Sequence, residues 1–347
     1  MDRIAGFLRS HPKLSLCLLT PGITEYLSGF SSLYYLLFNP FVFALQLAAV
    51  ASLYLPGALL IREAMVRWKK GWGSVLLMGA AYGILEEGPA LDTLFNPNSS
   101  AVLGSGIGEY GRWLGVNWAF AAEVIPIHIV FSIALPIFLL GFALPETRGK
   151  RLLASRRSLV GAIAALGLGV WGNAFIGLHV GHIWTGAPFF VLSLAVIGAL
   201  VLAARVVPAD IVHARSDTPR ISPLLAGLLG VLVFPLMVIV PNAGASVNLP
   251  AEVAVALVGA TLALLLALAL RMMGRGSNER QLIAFSLGLI LPVMVVGLVS
   301  GPPIIVADVL ALLLFRRVWR KHSGGGVAPL SARGVTEAGT AADPDRR

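Results

Sequence analysis

Cysteine is all but missing: Cys17 is the one example in 347 residues. That excludes an intramolecular disulfide and any cysteine-based zinc centre. Charge is scarce as well, at 12% of residues, against roughly 25% in ordinary soluble domains. Acidic residues number 17 against 26 basic ones. No HExxH pattern occurs, which excludes a zincin-type metalloprotease, and no polar stretch is long enough to hold a soluble domain. What fills the chain instead is apolar: 57% hydrophobic residues and a mean hydropathy of +0.85. A soluble protein of this length has too little polar surface to cover such a composition, so soluble enzymes and secreted scaffolds are excluded. The expected fold class is all-α, a polytopic transmembrane helix bundle.

A spanning helix needs about 20 apolar residues. Ten runs approach that length: 14–36, 41–61, 72–88, 113–144, 159–178, 187–204, 223–241, 250–270, 282–300 and 303–319. With the first segment cytoplasmic, all but Arg112 of the 26 Lys and Arg residues fall on the cytoplasmic side, as the positive-inside rule requires. Topology thus accounts for the isoelectric point near 10.2, and no basic cluster is left over to argue for a nucleic-acid partner. The expected setting is the plasma membrane, with membrane lipids as neighbours and both termini cytoplasmic. No small-residue cleavage site follows Leu14–Leu19, so this segment reads as an uncleaved anchor. Residues 1–321 form the expected membrane domain. Residues 322–347, rich in Gly and scattered charge without an apolar face, read as a disordered cytoplasmic tail.

Ionisable groups inside spans are costly, so their positions carry information. They gather between 14 and 186, which leaves 187–321 as scaffold. Gly79 and Gly83 form a small-residue face for close helix approach, and Glu86 and Glu87 follow one turn later on it. Two adjacent carboxylates in a poorly hydrated place attract a proton or a cation. The opposing reading is a solvated helix end, stopped by Gly88-Pro89. His128 shares a face with Asn117 and Ser132, whereas Glu123, about 140° round the helix, meets a different neighbour. His179 and His182 form an i, i+3 pair, and Asn173 lies about two turns before it on the same run. Glu25 interrupts the first run, and Arg62-Glu63 reads as an interfacial ion pair.

The order Glu86-Glu87, His128, then His179 or His182 resembles the CAAX-protease and bacteriocin-processing family, whose glutamic intramembrane proteases carry such motifs on successive helices. The resemblance implies Glu86 or Glu87 as general base with His128 assisting, and His179 or His182 as oxyanion donor, acting on a membrane-embedded substrate. It covers roughly 72–186 and departs at three points: EExxxR meets Leu91, FxxxH meets Val124, and HxxxN or HxxxD meets Ile183 or Gly186. Asn117, Glu123 and Asn173 are expected to line the same outward-facing cavity. The alternative uses are a proton- or cation-coupled transporter and a non-catalytic membrane scaffold. The sequence names no cofactor and no metal.

Overall fold

A computed structural model describes residues 2–31, 33–99, 107–179, 186–209, 221–272, 279–298 and 302–323. Helix α1 (Asp2–Ser10) leads into α2 (Pro12–Pro21), which runs on through a widened turn over Gly22–Tyr26; the short α3 (Tyr34–Phe38) precedes α4 (Pro40–Arg67). Helix α5 (Trp72–Leu85) likewise continues through Glu86–Ala90. A two-residue-per-strand hairpin, Arg112–Trp113 with Val116–Asn117, introduces α6 (Trp118–Ala143). Then come α7 (Arg156–His179), α8 (Ala187–Val206), α9 (Pro223–Ser246), α10 (Ala251–Met272), α11 (Glu279–Gly297) and α12 (Pro302–Ser323).

All ten apolar runs are helical over most of their length. Among the described residues six helices are long and apolar enough to cross a membrane: α4, α6, α7, α8, α9 and most of α11. Helices α10 and α12 carry shorter apolar stretches, Ala251–Leu265 and Pro303–Leu313. The chain is an all-α membrane protein. The outward faces of α7 and α8 support this directly, with Leu168, Trp171, Val191 and Leu202 each at least 62% exposed. An apolar surface of that kind is unsuited to water.

Local chemistry sets the helix starts. Asn39 and Ser222 accept from the amides of Val42 and Leu225, with Pro40 and Pro223 in the first helical position, the favoured N-terminal arrangement. Neither Pro126 nor Pro136 ends α6. The beginning of run 113–144 is not helix, because Leu114 and Gly115 take left-handed conformations (φ 51° and 78°) that turn the hairpin. The expected tail boundary also moves, since α12 extends through Ser323; residues 324–347 lie outside the described residues.

Helix α6 is central. Ile133 and Leu140 join one apolar core with Leu16, Tyr54, Val75 and Met78. Phe131 and Leu135 join another with Phe234, Met237 and Ile290. The Gly79–Gly83 face receives α6 as expected: a Cβ on Gly79 would lie 3.1 Å from Ile129 Cα, and one on Gly83 3.1 Å from His128 Cβ. Gly230 and Gly288 play the same part between α9 and α11, bringing backbones into van der Waals contact.

Arg62 and Glu63 do not pair with each other. Arg62 donates to the carbonyls of Thr147 (2.5 Å) and Lys150 (3.0 Å). Glu63 accepts from the amides of Leu152 and Leu153 (3.0 Å each) and from Arg67 Nε (2.8 Å). Adjacent residues on a helix point about 100° apart, so each reaches a different part of the loop after α6. Together they clasp that loop to the end of α4.

Candidate functional site

Three widened turns hold the buried polar groups. In each the helical hydrogen bond runs from residue i to i+5: Leu27 N to Gly22 O, Leu91 N to Glu86 O, and Leu135 N to Val130 O. A proline stands at or near every one, Pro21, Pro89 and Pro126. Proline lacks the amide that an ordinary turn needs, so the ladder must rearrange around it. Such π turns occur preferentially at functional sites. Here they contribute Thr24 and Glu25, Glu86 and Glu87, and His128 and Ser132. Pro89, expected to stop the helix, instead sits inside a wide turn that keeps both glutamates in the protein interior.

Glu86, Glu87 and His128 are 4%, 6% and 3% exposed. His128 Nε2 lies 2.8 Å from Glu87 Oε1, and Nδ1 lies 3.4 Å from Glu86 Oε2. The convergence follows from depth. Glu86 is fourteen residues from Trp72, ~21 Å along α5, and His128 is ten from Trp118, ~15 Å along the antiparallel α6. With the two tryptophans at opposite interfaces of a membrane core of ~30 Å, these lengths sum to little more than its thickness, which brings the groups to one level.

The surrounding hydrogen bonds are directionally consistent. Thr24 Oγ1 donates to Ser132 Oγ (3.1 Å), which lies 3.0 Å from His128 Nδ1. With Ser132 as donor to Nδ1, Nε2 carries the ring proton and gives it to Glu87, the neutral tautomer fixed by its neighbours. Thr93 donates to the other Glu87 oxygen and also reaches the Glu87 carbonyl (2.9 Å). The chain Thr24–Ser132–His128–Glu87–Thr93 therefore crosses three elements with every link satisfied. The segment after the wide turn folds back over it, held by Asn117 N to Leu94 O (2.9 Å) and by Arg112 to the Phe95 carbonyl (2.7 Å).

Glu25 adds a third carboxylate from α2. It accepts from Tyr54 Oη (2.6 Å) and Ser31 Oγ (2.7 Å). The rings of Tyr54 and Tyr82 sit 6.2 and 5.9 Å from the His128 ring. Tyr82 interacts with the Glu86 carboxyl, yet neither the Tyr82 hydroxyl nor Glu86 Oε2 completes a well-formed hydrogen bond among the described residues. Buried polar atoms in that state call for a polar guest.

The other expected site residues lie elsewhere. Asn117 caps α6, accepting from Phe120 N (2.9 Å) and donating to the carbonyls of Ile107 and Gly108. It faces the loop and not His128, because a capping residue precedes the first helical turn. Glu123 does meet a different neighbour, Asn242 of α9 (3.1 Å), which takes it away from the glutamate–histidine centre. Asn173 donates to Ser52 Oγ (3.2 Å) and the Gly169 carbonyl (2.9 Å), tying α7 to α4. His179 is exposed at the end of α7, stacked on Phe175 and bonded to its carbonyl (3.1 Å). Its helix position directs it outward, so it is not gathered with the glutamates. His182 lies outside the described residues.

Sequence reading passed over Thr24, Tyr54, Tyr82 and Thr93. Tyr82 had a usable signal, one turn before Glu86 on the Gly79–Gly83 helix; the others had none, since their partners are remote in sequence or lie past a wide turn. Comparison of the chain with protein-family models, with curated proteins and with solved structures finds no match.

Proposed function

We propose that this protein is an intramembrane hydrolase of the glutamic-protease kind, akin to the CAAX-protease and bacteriocin-processing enzymes, cutting a peptide bond in a membrane-embedded substrate. The observation that carries the reading is His128 held between two buried carboxylates, 2.8 Å from Glu87 and 3.4 Å from Glu86. Hydrolysis needs a base for water and a donor for the leaving amine. Glu86 Oε2 and the Tyr82 hydroxyl, neither of which completes a well-formed hydrogen bond among the described residues, hold the water. Its oxygen adds to the scissile carbonyl carbon as its proton passes to Glu86. That proton then goes to the amine nitrogen as the C–N bond breaks. Glu87 fixes the histidine, whose Nδ1, 3.4 Å from Glu86 Oε2, can accept from the Glu86 carboxyl once the proton of water has passed to it. Transport fits less well. Beyond Ser132 and Tyr54, α6 enters the apolar cores through Ile133, Leu135 and Leu140, and an ion needs a polar path across the membrane.

In this reading the chain crosses the plasma membrane ten times, with α5, α10 and α12 and the first run completing the six longer spans. The Trp118 end of α6 faces outward, and the basic ends face the cytoplasm. Cys17 is buried, so introduced cysteines can be labelled against a quiet background. Asn248→Cys should react with an impermeant thiol reagent in intact cells, and Arg157→Cys only after permeabilisation. Reaction of both from one side would overturn the topology.

The activity is tested with the purified protein in vesicles carrying single-span peptides, in water enriched in 18O. The expected result is a cleaved peptide with one 18O in its new carboxyl group, and none from Glu86→Gln. Proton or cation flux across the same vesicles without cleavage would replace hydrolysis by transport.

A further inference from the structure

A cavity of about 300 Å3 lies between α5 and α6 on one side and α9, α10 and α11 on the other. Its walls are apolar, Phe138, Ile129, Met237, Leu262 and Leu289 among them. The one hydroxyl on the walls, Ser286 Oγ, is already bonded to the Leu282 carbonyl (2.9 Å). Nothing there would hold water, and apolar cavities stay dry and take apolar guests.

Its shape narrows the choice of guest. Along α6 the lining runs from Phe138 to Pro126, twelve residues or ~18 Å. A cavity of about 300 Å3 drawn out over that length is a narrow channel, too slender for a helix ~10 Å across. A peptide helix does not fit. One extended hydrocarbon chain does, and the length matches the ~15 Å depth of one leaflet of a ~30 Å core. Trp72 opens α5, its ring 6.1 Å from that of Phe138 near the end of α6, and Leu282 lies in the first turn of α11. Lys69, Lys70 and Arg280 stand within three residues of Trp72 or Leu282 in sequence, the setting of a headgroup region. Pro126 marks the opposite end of the lining on α6. Pro126, Ile129 and Val130 flank His128 on the same stretch of α6 but point away from the glutamates.

We propose that this cavity binds one acyl chain of a membrane phospholipid, with the headgroup at the Trp72–Leu282 rim and the chain tip against the wide turn that carries His128. The site is separate from the hydrolytic centre and does not depend on its chemistry. The bound chain lies beside the side-chain core that Phe131 and Leu135 of α6 form with Phe234, Met237 and Ile290.

The full chain is reconstituted in phosphatidylcholine vesicles containing a trace of phosphatidylcholine with a photoactivatable diazirine at one acyl terminus, and labelled residues are located by mass spectrometry. Labelling should be several-fold denser on Pro126–Val130 and Met237 than on the outward residues Trp171 and Leu202. Ala263→Trp, which fills the cavity from α10, should remove that excess and leave the outward labelling unchanged. If Ala263→Trp does not fold, Leu262→Trp serves the same purpose. Equal labelling of cavity and outward surface, or an excess that survives a folded filling variant, would overturn the proposal.

Discussion

Leucine at both Glu87 and His128 is expected to abolish the proposed hydrolysis while leaving the melting temperature in detergent at or above that of the unaltered protein. Loss of acid–base assistance lowers rates by ~10²–10⁴. Stability should move the other way. Replacing a buried carboxylate and the imidazole that serves it by apolar residues removes the cost of desolvating that charge, as in exchanges of buried ion pairs that are often neutral or stabilising by ~1–4 kcal/mol. Glu86 keeps Tyr82 as its neighbour. The surroundings permit the exchange: Ser132 keeps its bond from Thr24, and Thr93 keeps the Glu87 carbonyl. A leucine Cβ also occupies the place against Gly83 that the His128 Cβ already fills. His128→Leu alone should behave differently. It leaves two carboxylates facing one another in an apolar setting, and orphaning a buried charge costs ~3–5 kcal/mol. The order of melting temperatures is therefore the single variant lowest, with the double variant restored. A double variant as unstable as the single one would mark the pair as structural.

The second large effect is expected far from that centre. Glu63→Ala should destabilise the protein by ~3–5 kcal/mol, because it strips the partly buried Arg67 guanidinium and two buried amides of their shared acceptor at once. Glu63 is 1% exposed and serves Arg67, Leu152 and Leu153 together. Hydrogen bonds to a charged group contribute ~1.5–3 kcal/mol each, so the total is consistent with partial rehydration of the freed loop. Glu63→Gln keeps an acceptor oxygen for the amides and should lose about half as much. Thermal melting in detergent reads the difference, and faster proteolysis between Leu144 and Ser155 should accompany it. Wild-type melting for Glu63→Ala would show that water replaces the carboxylate without loss.

The helices were legible because each must bury about 20 apolar residues in lipid, and that demand is written in runs such as 187–204 and 223–241. Glu86, Glu87 and His128 stood out because ionisable groups are costly in such runs. The Gly79–Gly83 face was legible from its spacing alone. The wide turns were not, because a helical wheel assumes one constant period, and each turn shifts the residues beyond it. That is why Pro89 read as a stop. Asn117 was misplaced when the apolar count carried the helix back to Trp113, across a hairpin set by two left-handed residues. Glu123 and Asn242 are 119 residues apart, and Tyr54 and Glu25 are 29 apart; neither partnership leaves a local pattern. His179 was grouped with the glutamates by its order along the chain, which does not fix the direction of a side chain at a helix end.

The clasp at the end of α4 also sets a timetable. The loop partners of Arg62 and Glu63 are encoded 85 to 90 residues later. At roughly 5–20 residues per second of synthesis, ~4–18 s pass before the ribosome delivers them. Throughout that interval the end of α4 must remain hydrated, since neither charge can enter an apolar setting alone. The first part of the bundle therefore closes at its basic end only after α6 and its loop have emerged, so assembly of the glutamate–histidine centre, which also waits for α6, and sealing of that end belong to the same moment of biogenesis.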